Sequence, residues 1–294
     1  MPLRFFKYHG LGNDFVILDE ILHGPQNPPP AQVLCDRNRG IGADGVLHLS
    51  RINNALTMRI VNADGSPAQM CGNGVRCIAR HLCERHALTA DSFTLHTGRG
   101  PLTIEISRDR AAFLAATVDM GEPILEPARI PVICASNPLS IPRPSLLETP
   151  WSRAAGLAPT ISAVSMGNPH AIIECTNPDA VPLRDIGPTI ERATLFPEGT
   201  NVHFVHVLSP DAIRIITWER GAGATLACGT GACAVVVALA SLGRTSRRVR
   251  VDVPGGTLLI EWSNTTNRVR MRGPATFVFE GQFSPQDPTD SRTP

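Results

Sequence analysis

The sequence carries almost no charge imbalance: 27 Lys and Arg stand against 26 Asp and Glu, a formal net charge of +1, with no basic stripe along any segment. That argues against nucleic acid as a partner, since phosphate backbones are met by clustered cations. Long apolar runs are missing as well. The longest, around residues 232–242, is too short to cross a bilayer. The opening Met1-Pro2-Leu3-Arg4-Phe5-Phe6-Lys7 lacks the apolar core and small-residue cleavage site of a secretory signal. The expectation is a soluble cytoplasmic protein without a membrane partner, whose 8 cysteines stay reduced. Paired C-x2-C spacing is absent too: the close cysteines are Cys71-x5-Cys77 and Cys228-x4-Cys233, which disfavours structural zinc. No Gly-rich loop is followed by Lys-Ser/Thr, and no G-x-G-x-x-G opens a dinucleotide-binding unit. Neither a metal nor a cofactor is expected.

What the sequence does contain is a duplication. Cys71-Gly72-Asn73-Gly74 runs into an apolar stretch, and so does Cys228-Gly229-Thr230-Gly231, at an offset of 228 − 71 = 157. Asn62 and Glu219, nine residues upstream of each cysteine, keep the same offset, 219 − 62 = 157, and each follows a strand-like run. Gly12-Asn13-Asp14-Phe15-Val16-Ile17 resembles Gly167-Asn168-Pro169-His170-Ala171-Ile172 at 155. Gly42-Ala43-Asp44 followed by Val46-Leu47 matches Gly199-Thr200-Asn201 followed by His203-Phe204 at 157. Gly100-Pro101-Leu102-Thr103-Ile104-Glu105 matches Gly256-Thr257-Leu258-Leu259-Ile260-Glu261 at 156. Such a repeat is too long for a solenoid unit and implies two similar domains related by a pseudo-twofold axis.

Short strands bounded by Gly, Asp and Pro are expected at 3–8, 15–18, 46–50, 58–61, 92–96, 102–106 and 114–120, with a Pro-rich loop at 24–30. The second repeat gives strands at 162–165, 171–174, 202–208, 213–218, 249–253, 258–262 and 269–272, after an exposed Pro-rich stretch at 137–150. One strand more than the repeat needs falls at 275–280. The expected fold is α/β in the α+β sense: in each domain a curved, mainly antiparallel sheet or barrel wraps a central helix. The expected domains are 1–122 and 123–274, with 275–283 returning to the first and 284–294 a disordered tail.

Each cysteine of the duplicated pair sits at the mouth of a helix, where unpaired N–H groups and the macrodipole favour a thiolate. Two such N-termini facing each other across a domain interface would hold a carboxylate, with one thiol on each side of its α-carbon. That arrangement suits proton removal from one face and delivery to the other. The reaction class is racemisation or epimerisation α to a carboxylate. A single buried cysteine before an apolar helix is usually a core residue, which is the reading for Cys35, Cys77, Cys83, Cys134, Cys175 and Cys233.

These motifs resemble the diaminopimelate epimerase family over roughly residues 4–283. They are His9-Gly10-Leu11-Gly12-Asn13-Asp14-Phe15, Gly40-Ile41-Gly42-Ala43-Asp44, Asn62-Ala63-Asp64-Gly65-Ser66, Met70-Cys71-Gly72-Asn73-Gly74-Val75-Arg76-Cys77, Met166-Gly167-Asn168-Pro169-His170, Glu219-Arg220-Gly221 and Ala227-Cys228-Gly229-Thr230-Gly231-Ala232-Cys233. The resemblance implies an isomerase of lysine and peptidoglycan precursor biosynthesis that interconverts LL- and meso-diaminopimelate without pyridoxal phosphate and works as a homodimer. It makes Cys71 and Cys228 the acid/base pair, supported by His170 and Glu219. It places Gly72, Asn73, Gly229 and Thr230 at the reacting carboxylate, and Asn13, Asn62, Asn168, Asn201 and Arg220, with Glu219, around the rest of the substrate. Two positions depart from the family pattern: Gly45, where some members carry Gln, and Ala224, where many carry Glu. Two other functions compete, a proline racemase-like isomerase of the same architecture and a thiol redox or zinc-binding protein. Arg220 and the asparagines favour the diamino diacid, whose second charged end calls for a guanidinium.

Overall fold

The computed structural model describes residues 2–134, 137–144 and 147–284, and period-two alternation builds several of its strands while others are buried on both faces. Of the tail expected at 284–294, residues 285–294 lie outside the described residues. In the strand Gly100–Asp109, for example, Leu102, Ile104 and Ile106 are buried while Thr103 and Glu105 are exposed. Contacts divide the chain inside the strand Ala112–Gly121: one compact unit holds the chain up to Ala116 and from Pro274 onward, the other Thr117–Gly273.

In the first unit β1 (Leu3–Gly10) pairs antiparallel with β2 (Asn13–Asp19). Two short helices follow, α1 (Glu20–His23), capped by the Asp19 side chain, and α2 (Ala31–Cys35). The chain then enters β3 (Gly45–Ile52), parallel to β2, and turns back along β4 (Ala55–Asn62). After the two-residue β5 (Pro67–Ala68) on β4 comes α3 (Gly72–Arg85), which carries the chain to β6 (Ser92–Thr97), parallel to β4, and its hairpin partner β7 (Gly100–Asp109). Next along the chain is β8 (Ala112–Gly121).

The second unit repeats this path. After the short β9 (Ile141–Pro142) and α4 (Pro150–Ala154), β10 (Thr160–Ser165) pairs antiparallel with β11 (Pro169–Glu174). Beyond α5 (Leu183–Glu191), β12 (Asn201–Ser209) is parallel to β11 and antiparallel to β13 (Ala212–Glu219), which takes the short β14 (Gly223–Thr225). Then α6 (Gly229–Ser241) leads to β15 (Arg248–Val253), parallel to β13, and on to β16 (Gly256–Trp262) and β17 (Val269–Gly273). The last strand, β18 (Thr276–Phe283), is antiparallel to β1. Pairing is mainly antiparallel. The parallel pairs β2·β3, β4·β6, β11·β12 and β13·β15 each follow a connection long enough for a crossover.

Each unit wraps its sheet on one helix. α3 packs on β1, β2 and β18, and α6 on β10, β11, β12, β16 and β17. Ala232–Leu239 of α6 is buried without a break, each of its three valines being worth about 1.5–3 kcal/mol of transfer free energy. α3 is buried as deeply yet carries Arg76 in its middle, which donates from Nε to the Pro274 carbonyl at 3.0 Å. The turns that aim the site residues need glycine. Gly12 between β1 and β2 has φ 85°, and Gly167 at the equivalent turn between β10 and β11 has φ 98°.

α5 was not expected. Pro188 and Gly187 mask the apolar spacing of Leu183, Ile186 and Ile190. The glycine has a packing reason: a Cβ at position 187 would lie 2.5 Å from Cγ of Trp218.

Candidate active site

In the first unit the chain leaves an extended Cys71 (φ −139°, ψ 116°) as the N-cap of α3, whose first turn closes from Val75 N–H to the Cys71 carbonyl at 2.9 Å. The thiol is not used to cap the helix. It donates to Asn13 Oδ1 at 3.7 Å, and the same oxygen accepts Asn73 Nδ2 at 3.0 Å. Asn13 is held from behind by Asp44, whose Oδ2 accepts its amide at 2.8 Å; Asn73 Oδ1 accepts Arg76 Nη2 at 2.8 Å. The charge behind the network is balanced: Arg37 pairs with both Asp14 and Asp44, and Lys7 pairs with Asp14 and donates to the Gly42 carbonyl. Gly72 is the first helical residue. Asn62, at the exposed end of β4, donates to Ser66 Oγ at 3.0 Å.

The second unit places Cys228 equivalently, as the extended N-cap of α6 (φ −112°, ψ 108°), with Gly229 and Thr230 opening the helix. Here the thiol is buried. Burial, then the Glu219 carboxylate beside it and the hydrogen bond between them, push its pKa well above the ordinary thiol range, against the Thr230 hydroxyl and the Gly231 N–H. The helix N-terminus alone would favour a thiolate; at Cys228 desolvation and a neighbouring anion win, so the sulfur holds its proton at neutral pH. Glu219 is fixed by Thr225 Oγ1, which donates to Oε1 at 2.6 Å.

Beside this thiol runs a chain of buried rings. His170 Nε2 meets Asn168 Oδ1 at 3.0 Å, His170 Nδ1 meets His203 Nε2 at 2.9 Å, and His203 Nδ1 meets Thr217 Oγ1 at 2.9 Å. Asn168 in turn donates to Thr230 Oγ1 at 3.4 Å, and Thr230 Oγ1 lies 3.7 Å from Cys228 Sγ. Ring nitrogens of His170 and His203 and the Cys228 sulfur lie within 4.8 Å of one another. Hydrogen bonds account for all four ring nitrogens. A Cβ at Gly231 would come within 2.1 Å of His203 Cε1, so the glycine lets the ring lie against the helix start.

Asn201 and Arg220 form a separate pair. The buried Asn201 donates from Nδ2 to the Pro169 carbonyl at 2.9 Å and accepts the Arg220 backbone N–H at 3.0 Å. Arg220 itself is exposed, with Nη1 on the Glu198 carbonyl at 2.6 Å. With both amide ends committed to protein, Asn201 positions Arg220 and the start of β11.

Within its own unit each cysteine thus gathers most of the residues expected around it: Asn13, Gly72 and Asn73 at Cys71; Asn168, His170, Glu219, Gly229 and Thr230 at Cys228. Sequence reasoning missed Asp44, His203, Thr217 and Thr225. Asp44 and His203 lie inside the duplicated blocks, where they read only as repeat. The six other cysteines are buried or half-buried.

Burial pulls the pKa of His203 down to about 3; burial first, then the neighbouring His203 ring and the Arg220 guanidinium, hold His170 well below its ordinary value. Both rings therefore stay neutral in the fold while an unfolded chain would take up protons near pH 6.5. Their contribution to stability is full above that pH and is lost as pH falls below it. Between about pH 7 and about pH 5 the unfolding free energy is expected to drop by about 2 kcal/mol for each ring. Denaturant titrations at the two values measure this, and His203→Asn reduces the drop. Equal stability at both would contradict the neutral pair.

The fold is that of a class of two-unit α/β proteins already represented among solved structures. A phenazine biosynthesis protein of the PhzF family from Bacillus anthracis superimposes with TM-score 0.71 over 97% of this chain and 99% of its own, at 16% identity. A hydroxyproline epimerase from Agrobacterium vitis does so with TM-score 0.65 over 97% and 93%, at 15% identity. The diaminopimelate epimerase family profile matches residues 5–126 and 162–278. The diaminopimelate epimerase of Synechocystis sp. is 43% identical over 286 residues, 96% of this chain and 99% of the relative. The chloroplastic enzyme of Oryza sativa subsp. japonica is 45% identical over 290 residues, 95% of this chain and 79% of the relative. The chain belongs to the diaminopimelate epimerase family, whose members are isomerases.

Proposed function

We propose that the protein interconverts LL- and meso-diaminopimelate by a two-base mechanism, Cys71 serving one face of the α-carbon and Cys228 the other. The observation that carries this is the matched pair of N-cap cysteines on duplicated helices, one of them a protonated thiol beside a carboxylate. In one direction Cys71, having released its own proton to water, removes the α-proton as a thiolate while Cys228 gives its proton to the opposite face. In the other direction Cys228 must first lose its proton. Glu219 is the base within hydrogen-bonding reach, and His170 and His203, both neutral, keep the surroundings of the new thiolate polar. Backbone N–H groups at Gly72, Asn73, Gly229 and Thr230 hold the reacting carboxylate and take up the negative charge that grows on it. Asn62, Asn168 and Arg220 read the distal amino acid end.

The same reading makes the enzyme a cytoplasmic homodimer in lysine and peptidoglycan precursor synthesis; no helix among the described residues is long and apolar enough to cross a membrane. Sedimentation of the purified protein checks the dimer.

The decisive experiment is incubation with LL-diaminopimelate in deuterated water. At early conversion the meso product should carry deuterium at the inverted centre while recovered substrate carries little, because the incoming proton comes from a solvent-exchanged thiol on the other face. Racemisation of proline at equal efficiency, or no exchange at all, would overturn the assignment.

A further inference from the structure

At the end of α3 remote from Cys71, three side chains meet that epimerisation does not use. Asp19, the last residue of β2, is fully buried. Its Oδ1 accepts the N–H groups of Ile21 and Leu22 at 2.9 and 3.0 Å, capping α1. Its Oδ2 meets His81 Nε2 at 2.8 Å and His86 Nε2 at 2.6 Å. His81 is fully buried, whereas His86, the C-cap of α3, keeps 17% of its side chain exposed. One donor atom from each of the three lies within 4.8 Å of the others.

The other side of His81 decides what this cluster does. Its Nδ1 is 3.3 Å from the Tyr8 hydroxyl, and Tyr8 donates its own hydrogen to Glu84 Oε2 at 3.0 Å. The phenol oxygen is then an acceptor towards His81, so the imidazole hydrogen belongs on Nδ1. With Nδ1 held by an outer partner, His81 turns Nε2 to the Asp19 oxygen that His86 Nε2 also faces, the arrangement of an imidazole that ligates a metal.

We propose that Asp19, His81 and His86 form a site for a divalent transition metal of the zinc class, tying the end of β2 and the start of α1 to the last turn of α3. Two imidazole nitrogens and a carboxylate oxygen suit zinc or cobalt, and the exposed edge of His86 leaves water for the fourth position. Bonds of about 2.0–2.2 Å at tetrahedral angles hold donor atoms about 3.3 Å apart, so from 2.8 and 2.6 Å the His81 and His86 nitrogens need retreat from Oδ2 by about 0.5 and about 0.7 Å. Tyr8, backed by Glu84, supplies the outer hydrogen bond that fixes the tautomer of His81.

The test is a titration of metal-stripped, full-length protein with Co2+, followed by Zn2+. One equivalent of Co2+ should give visible d–d absorption without a thiolate charge-transfer band. Zn2+ should displace it and raise the thermal unfolding temperature. Cys228→Ser removes the thiol of the only other donor trio among the described residues and should leave the Co2+ spectrum and the Zn2+ temperature shift as they are. H86A should abolish both the spectrum and the temperature shift. Y8F, which keeps the ring packed, should weaken Co2+ binding about 10- to 100-fold, a change that a packing role alone would not produce. Absence of saturable Co2+ binding, a spectrum unchanged in H86A, or one that shows a thiolate band and vanishes in Cys228→Ser would each overturn the proposal. Should H86A not fold, His86→Gln and Y8F carry the same comparison.

Discussion

Cys71→Ala and Cys228→Ala are each expected to abolish epimerisation while leaving the fold intact. Inversion needs a proton to leave one face and another to arrive on the opposite face, so one thiol cannot replace its partner. General acid–base groups of this kind contribute about 10²–10⁴-fold to rate, and a lost inversion partner falls at the upper end of that range. Neither change should unfold the chain. The Cys71 side chain does not cap α3, and alanine at a buried cysteine such as Cys228 costs about 1 kcal/mol. The two variants should differ in what survives. Each can still exchange the α-proton of the stereoisomer that faces its remaining thiol, without inverting it, so one variant should label LL-diaminopimelate and the other the meso form. In Cys71→Ala that exchange relies on Glu219 to deprotonate Cys228 and should fade further in Cys71→Ala/Glu219→Gln. Measurable conversion of LL to meso by either single variant would remove the two-base assignment.

The duplication was the most legible feature of the chain, because glycine turns and cysteine N-caps are local signals that survive divergence. Gly12 and Gly167 both take positive φ, and Cys71 and Cys228 both cap helices from extended backbone. Strands were legible for the same reason, being bounded by Gly, Asp and Pro. What was hidden depends on tertiary surroundings. α5 carries Pro188 in its interior and is held by packing on Trp218, so local propensity argued against it. Arg76 is fully buried because a carbonyl of the returning chain, at Pro274, and Asn73 take donors of its guanidinium, partners that spacing does not reveal. The Cys228 thiol shows the limit most clearly. Its place at a helix N-terminus was readable and predicted a stabilised thiolate, but nothing in spacing shows that Glu219 folds back against it in a buried site. His203 was overlooked because its partners, His170 and Thr217, come from different strands, β11 and β13.

Arg220→Met is expected to lose most of the catalytic efficiency on LL-diaminopimelate while the thiol chemistry remains possible. The thiols and helix N-termini explain how the α-carbon of any amino acid is handled, yet they give no preference for a long diamino diacid. A second carboxylate calls for a fixed guanidinium, which binds it bidentately. Arg220 is prepared for this. Its backbone N–H is held by Asn201, Nη1 rests on the Glu198 carbonyl, and its stem passes Gly199, where a Cβ would lie 3.1 Å from Arg220 Cδ. The side chain is exposed in this structure, so its removal should leave thermal stability within about 0.5 kcal/mol of the parent. Once substrate covers it, the lost contact should cost about 2–5 kcal/mol, a fall in kcat/KM of roughly 30- to 4,000-fold. Most of the fall should appear in KM, with a smaller part in kcat, because binding energy at the far end also helps to seat the reacting carbon. Arg220→Lys keeps the charge but not the fork and should fall between the two. Because the Arg220 charge also helps to keep His170 neutral, its loss should raise the pH below which His170 takes up a proton. Steady-state kinetics on LL-diaminopimelate decide the matter: full efficiency in Arg220→Met would mean that the distal carboxylate is read elsewhere.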